Sequence, residues 1–109
     1  MKNMTIKDLQ RNVDNWVNQF SDGYWSPHEI LARLIEEVGE VSREINHLYG
    51  PTKKKHTEET RILGDEIGDA IFTLVCLANS KNIDLTQAME GVIKKYTIRD
   101  SKRYKNEKQ

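Results

Sequence analysis

The run Ala70-Ile71-Phe72-Thr73-Leu74-Val75-Cys76-Leu77-Ala78 constrains this chain more than any other segment. Wound into a helix, the region places Leu63, Ile67, Ala70, Ile71 and Leu74 on one face, while Phe72, Val75 and Cys76 cover the other. A helix apolar on all sides has to be covered on all sides. The run is far short of the roughly 18 apolar residues that span a bilayer, so protein must provide that cover. With 109 residues the chain suits one domain with a modest core. A four-helix protomer of that size cannot enclose such a helix alone. The expected architecture is therefore all-α, a four-helix-bundle-like protomer assembling through its third helix into a dimer or tetramer.

Caps and periodicity place the helices. The first spans about Ile6–Phe20, with Thr5 and Asp8 resembling a capping box and Ile6, Leu9, Val13, Trp16, Val17 and Phe20 as its stripe. The second starts at Ser26 as N-cap, with Pro27 at N1 and Glu29 at N3. Its expected apolar stripe is Ile30, Leu34, Val38, Val41, Ile45 and Leu48, and Gly50-Pro51 ends it. A basic loop, Lys53-Lys54-Lys55-His56, leads to the third helix, which begins between Thr57 and Thr60 and ends near Ser80. Asp84 caps the fourth, with Gln87 at N3. Residues 1–104 form a single helical domain in this reading, and 105–109 a polar, disordered tail.

Formal net charge is zero and the pI is near 6.8, which argues against a protein that grips nucleic-acid polymers through bulk positive charge. Cys76 is the single cysteine, so no intrachain disulfide can form, and its apolar surroundings suit an inert buried thiol. The N-terminus lacks an apolar signal region and no stretch is long enough to cross a membrane, so a soluble cytoplasmic protein is expected.

Acids are the chemical feature. Glu36-Glu37-Val38-Gly39-Glu40 lies on the second helix and Glu66-Ile67-Gly68-Asp69 on the third. Residues three apart share a helix face, so Glu37 with Glu40, and Glu66 with Asp69, each offer two carboxylates from one side of a rod. Four such groups on facing helices make an oxygen-lined cage for Mg²⁺, with Mn²⁺ as the other candidate. Asp69 directly precedes the apolar run, which suggests a buried charge with a task. Gly39 and Gly68 each cost about 1 kcal/mol relative to Ala inside a helix; they are read as letting the two backbones approach. A solvated acidic face paired with Arg33 and Arg43 is the competing account, and it suits Glu36 and Glu44 better than the paired motif.

These residues resemble the MazG-type all-α nucleoside triphosphate pyrophosphohydrolases, the short single-domain bacterial kind in particular. The likeness spans nearly the whole chain: Glu-Glu-x-x-Glu and Glu-x-x-Asp, Gly23-Tyr24-Trp25-Ser26-Pro27, Glu44-Ile45-Asn46-His47, and Lys95-Tyr96-x-x-Arg99. The resemblance implies Mg²⁺-dependent cleavage of a nucleoside triphosphate between its α- and β-phosphates, giving a nucleoside monophosphate and pyrophosphate. It also implies a homo-oligomer. Glu37, Glu40, Glu66 and Asp69 take the metal-ligand positions, and Glu36 that of an acid orienting or deprotonating the attacking water. A non-catalytic helical module binding nucleotide or protein is the alternative.

Cations and aromatics complete the candidates. Lys95 and Arg99 could meet phosphate oxygens or simply complement the end of the fourth helix, and both readings stand. Lys102, Arg103 and Lys53–Lys55 suit solvated charge. Trp25 could stack on a base, whereas Trp16 is expected in the core. Glu44-x-x-His47 is half of a di-iron motif, and no second half exists to complete it.

Overall fold

The computed structural model describes residues 3–51 and 59–103 of the chain, with side chains for 3–51 and 62–101. It contains α1 (Ile6–Val17), α2 (Pro27–Tyr49), α3 (Glu59–Ser80) and α4 (Leu85–Arg103), and no strand among the described residues. The basic loop, the side chains of Lys102 and Arg103, and the tail at 105–109 lie outside the described residues.

The helix starts follow the local chemistry. The Thr5 hydroxyl accepts from the Asp8 amide at 3.0 Å and the Asp8 carboxylate from the Thr5 amide at 3.1 Å. Ser26 and Glu29 repeat the exchange at 3.3 and 3.0 Å, with Pro27 beside them. Asp84 Oδ1 accepts from the amides of Thr86 and Gln87. Each box satisfies amides that the first turn leaves without a carbonyl. At the far end of α2, a Cβ on Gly50 would stand 2.6 Å from the Asn46 carbonyl oxygen, so the stop requires glycine. Asn82 ends α3 in the left-handed region at φ 56°, where the Ile83 amide reaches back to the Ala78 carbonyl at 2.9 Å.

α2 packs along α3, and α1 packs on α3 and on α4. Val13, Val17 and Val75 form the buried core, covered by Leu9, Tyr24, Cys76 and Leu85. A polar hub ties the same elements together. The Gln10 side chain donates to Asn79 Oδ1 and the Ile83 carbonyl, both at 2.8 Å, and accepts from the Leu85 amide at 3.0 Å. Asn79 donates to the Gln10 carbonyl and the Tyr24 hydroxyl, which in turn donates to Asp14. Burial and the Asp14 bond push the Tyr24 phenol up to about 12, so it stays protonated and keeps donating.

Two expectations about packing are corrected. On α2 the inward face is Ile30, Leu34, Glu37, Val41, Glu44 and Leu48, whereas Val38 and Ile45 are exposed. Ile30, Leu34, Val41 and Leu48 lie where periodicity put them, while Val38 and Ile45 belong to a second apolar face that periodicity alone does not separate from the first. On α3, Thr73, Val75 and Ala78 are buried while Ile67, Ile71 and Leu74 face outward, so a single chain leaves part of this helix's apolar surface uncovered. Finally, a Cβ on Gly39 or Gly68 would meet nothing within 4 Å, so close approach of α2 and α3 does not explain either glycine.

Candidate active site

The acid motifs meet where α2 lies along α3. One carboxylate oxygen each from Glu37, Glu66 and Asp69 falls within a mutual distance of 4.8 Å. Glu37 is 6% exposed, Glu66 is half-buried and Asp69 is exposed. The expectation that Asp69 is the buried charge is therefore reversed: the buried acid belongs to α2. Asp69 lies at the edge of the inward face, one residue before half-buried Ala70 and one turn before buried Thr73, so its backbone borders the core while its carboxylate stays exposed.

Glu40 is exposed and stands outside this trio, with Arg43 Nη1 3.7 Å from its Oε2. Its charge still reaches Glu66. Partial desolvation, then the charges of Asp69, Glu40, Glu37 and Glu44, hold the Glu66 carboxyl above the usual carboxylate range. Glu36 is exposed and also outside the trio. An all-oxygen set under mutual repulsion is the donor chemistry that hard divalent cations select, so these residues fit Mg²⁺ or Mn²⁺. Glu44 is buried too, with His47 Nδ1 3.5 Å away and not in hydrogen-bonding geometry.

Beside the trio opens a cavity of about 560 Å³. Glu37 and Asp69 line one part of it and Trp16, Phe20, Trp25 and Phe72 another, with Arg33 between the chemistries of charge and ring. Trp16 is half exposed and packs edge-on against Phe20 and Phe72, with ring centroids 5.1 and 5.4 Å apart. It is a wall of the cavity, which corrects its placement in the core. Trp25 is exposed on the same wall. Cys76 also lines the cavity, and burial raises its thiol pKa, in keeping with an unreactive thiol.

Lys95 and Arg99 do not line this cavity. Both cations lie over the Tyr96 ring, at 5.0 and 4.5 Å from its centroid. Arg99 also forks onto the Asp100 carboxylate at 2.7 and 3.2 Å. Sequence reasoning missed Arg33 and Phe72 as parts of the site. Arg33 sits four residues before Glu37, a spacing that could have signalled the pair.

Comparison with known proteins agrees with this arrangement. The MazG nucleotide pyrophosphohydrolase domain matches residues 25–104. The protein YpjD of Bacillus subtilis (strain 168) is 48% identical over 104 residues, covering 95% of this chain and 94% of that one. The crystal structure of YPJD from Bacillus subtilis superposes with a TM-score of 0.81 at 49% identity, covering 88% of this chain and 98% of that one. The Bacillus-conserved MazG protein, a nucleotide pyrophosphohydrolase, superposes with a TM-score of 0.77 at 45% identity, covering 88% of this chain and 93% of that chain. With α2, α3, α4 and both acid motifs inside the matched region, this chain belongs to the MazG nucleotide pyrophosphohydrolase family, all-α hydrolases of the pyrophosphate bonds of nucleotides.

Proposed function

We propose that this chain cleaves nucleoside or deoxynucleoside triphosphates between the α- and β-phosphates, in a Mg²⁺-dependent reaction yielding a monophosphate and pyrophosphate. The observation that carries this reading is the placement of Glu37 and Asp69, with Glu66 beside them, on the rim of an aromatic-walled cavity. Acids alone would suit any cation and rings alone any flat ligand. Together they suit a ligand with a base at one end and phosphates at the other.

In this reading Glu37, Glu66 and Asp69 hold the cation, and Glu40 joins them by a rotamer change that releases Arg43. Bound Mg²⁺ neutralises phosphate charge and lowers the pKa of a coordinated water. Trp25 and the neighbouring rings hold the base, so that the α-phosphate lies toward the acids. Glu36 orients or deprotonates the attacking water, a role that requires it to turn toward the trio. Its test is the pH profile of Glu36→Gln, which loses the acidic limb if the role is right.

Two further assignments depend on assembly. Ile67, Ile71 and Leu74 on α3 and Leu31, Ile35 and Val38 on α2 are uncovered in a single chain. A second copy of the chain covers them in this reading, forming a dimer or tetramer. Lys95 and Arg99 reach phosphates only across such an interface. Among the described residues no helix is long and apolar enough to cross a membrane, which accords with a cytoplasmic enzyme.

The experiment is a panel of canonical, deoxy and modified triphosphates followed by ³¹P NMR in H₂¹⁸O. Monophosphate and pyrophosphate in equal amounts, abolished by EDTA, are expected. Orthophosphate with a diphosphate, or turnover indifferent to EDTA, would exclude the reading.

A further inference from the structure

Glu37 is not left to repel its neighbours. Arg33, one turn earlier on α2, places Nε 2.9 Å from Glu37 Oε1. The partners are unequal, since the Glu37 side chain is 8% exposed and that of Arg33 53%. The acid is fixed and the cation stands at its open side. Both line the same cavity.

We infer that Arg33 is an exchangeable counter-ion: it neutralises Glu37 in the metal-free protein, gives way to the divalent cation, and then holds the phosphates of the nucleotide. This rests on the metal-dependent reading above. Arg33 Nε stands 2.9 Å from one oxygen of the carboxylate that a cation would need at about 2.0–2.1 Å. A guanidinium and a dication cannot both sit there without strong repulsion. The half-exposed Arg33 side chain can leave by rotamer change alone, because an i, i+4 pair on one helix demands no backbone shift. A phosphate-bearing ligand in the cavity it already lines would give it an anionic destination, and a planar guanidinium matches phosphate oxygens two at a time.

The alternative is an ordinary helix-surface pair, which would leave cation and phosphate binding untouched when removed. Manganese titrations followed by the EPR signal of free Mn²⁺, without nucleotide, separate the two. Arg33→Gln should bind Mn²⁺ about three- to tenfold tighter than the unmodified protein, because no counter-ion has to be displaced. Arg11→Gln removes the same charge from an exposed pair with Asp8 on α1, which includes none of the candidate ligands, and should change Mn²⁺ affinity by less than about twofold. In saturating Mg²⁺, Arg33→Gln should bind inorganic tripolyphosphate about tenfold more weakly by calorimetry. Equal or weaker Mn²⁺ binding in Arg33→Gln, an equal gain in Arg11→Gln, or unchanged tripolyphosphate binding overturns the inference and leaves the metal-dependent reading standing. An unmodified protein that binds no Mn²⁺ overturns both.

Discussion

The two long faces of α2 are inverted relative to an ordinary amphipathic helix. Toward α3 it buries two carboxylates, Glu37 and Glu44, among Ile30, Leu34 and Val41. On the outer side it exposes Leu31, Ile35, Val38, Ile45 and Tyr49, with Ile35 at 64%. Hydrophobic burial would favour turning the helix the other way. The inner face brings Glu37 to Glu66 and Asp69, and the outer face leaves its apolar residues uncovered in a single chain, where we propose that a second copy packs. The contrast separates a face kept for chemistry from one kept for association.

Breaking the inner face should have the largest consequence. Glu37→Met removes a proposed cation ligand and should lower the rate of pyrophosphate release by about 10³-fold. The same change should raise, not lower, thermal stability in metal-free buffer by about 1 kcal/mol, because a desolvated acid gives way to an apolar side chain of similar volume. Calorimetric melting beside the activity assay would reveal the opposite signs. A variant both inactive and less stable would mean that Glu37 serves packing first.

The outer face should respond in mass before rate. Ile35→Lys paired with Val38→Glu should shift the protein toward the mass of a single chain in light scattering. In an isolated chain, changes at such exposed positions are within about 0.5 kcal/mol, so a normal helical spectrum should persist. An unchanged mass would show that this face is not covered by a second copy.

These two faces also show what could be read in advance. Helix starts were legible because capping is local: Thr5, Ser26 and Asp84 each act within three residues. The meeting of Glu37 with Glu66 and Asp69 was legible from motif spacing, whereas i, i+3 spacing did not bring Glu40 into the trio beside Glu37. The orientation of α2 was not, since both of its faces carry apolar residues and the choice depends on what α3 presents. Asp69 was misjudged for a related reason: a residue beside an apolar run looks buried in sequence, but it stands at the edge of the inward face, where a side chain can reach solvent. The Gln10–Asn79–Tyr24 hub joins residues far apart in the chain, and no local pattern announces it.

The smallest expected effect concerns Gly68, on the exposed side of α3. With nothing within 4 Å of a Cβ there, Gly68→Ala should stabilise a single chain by about 0.5–1 kcal/mol. A loss of stability in the assembled protein, but not in the Ile35→Lys/Val38→Glu background, would place Gly68 against a second copy and sharpen the account of the outer surface.

The most direct test is an anomalous difference map from crystals grown with Mn²⁺ and a non-hydrolysable triphosphate. A manganese peak bridging the carboxylates of Glu37, Glu66 and Asp69, with the base against Trp25, is the predicted result. A peak elsewhere, or a trio still held by Arg33 with no metal among its oxygens, would contradict the claim that α2 buries its acids for catalysis.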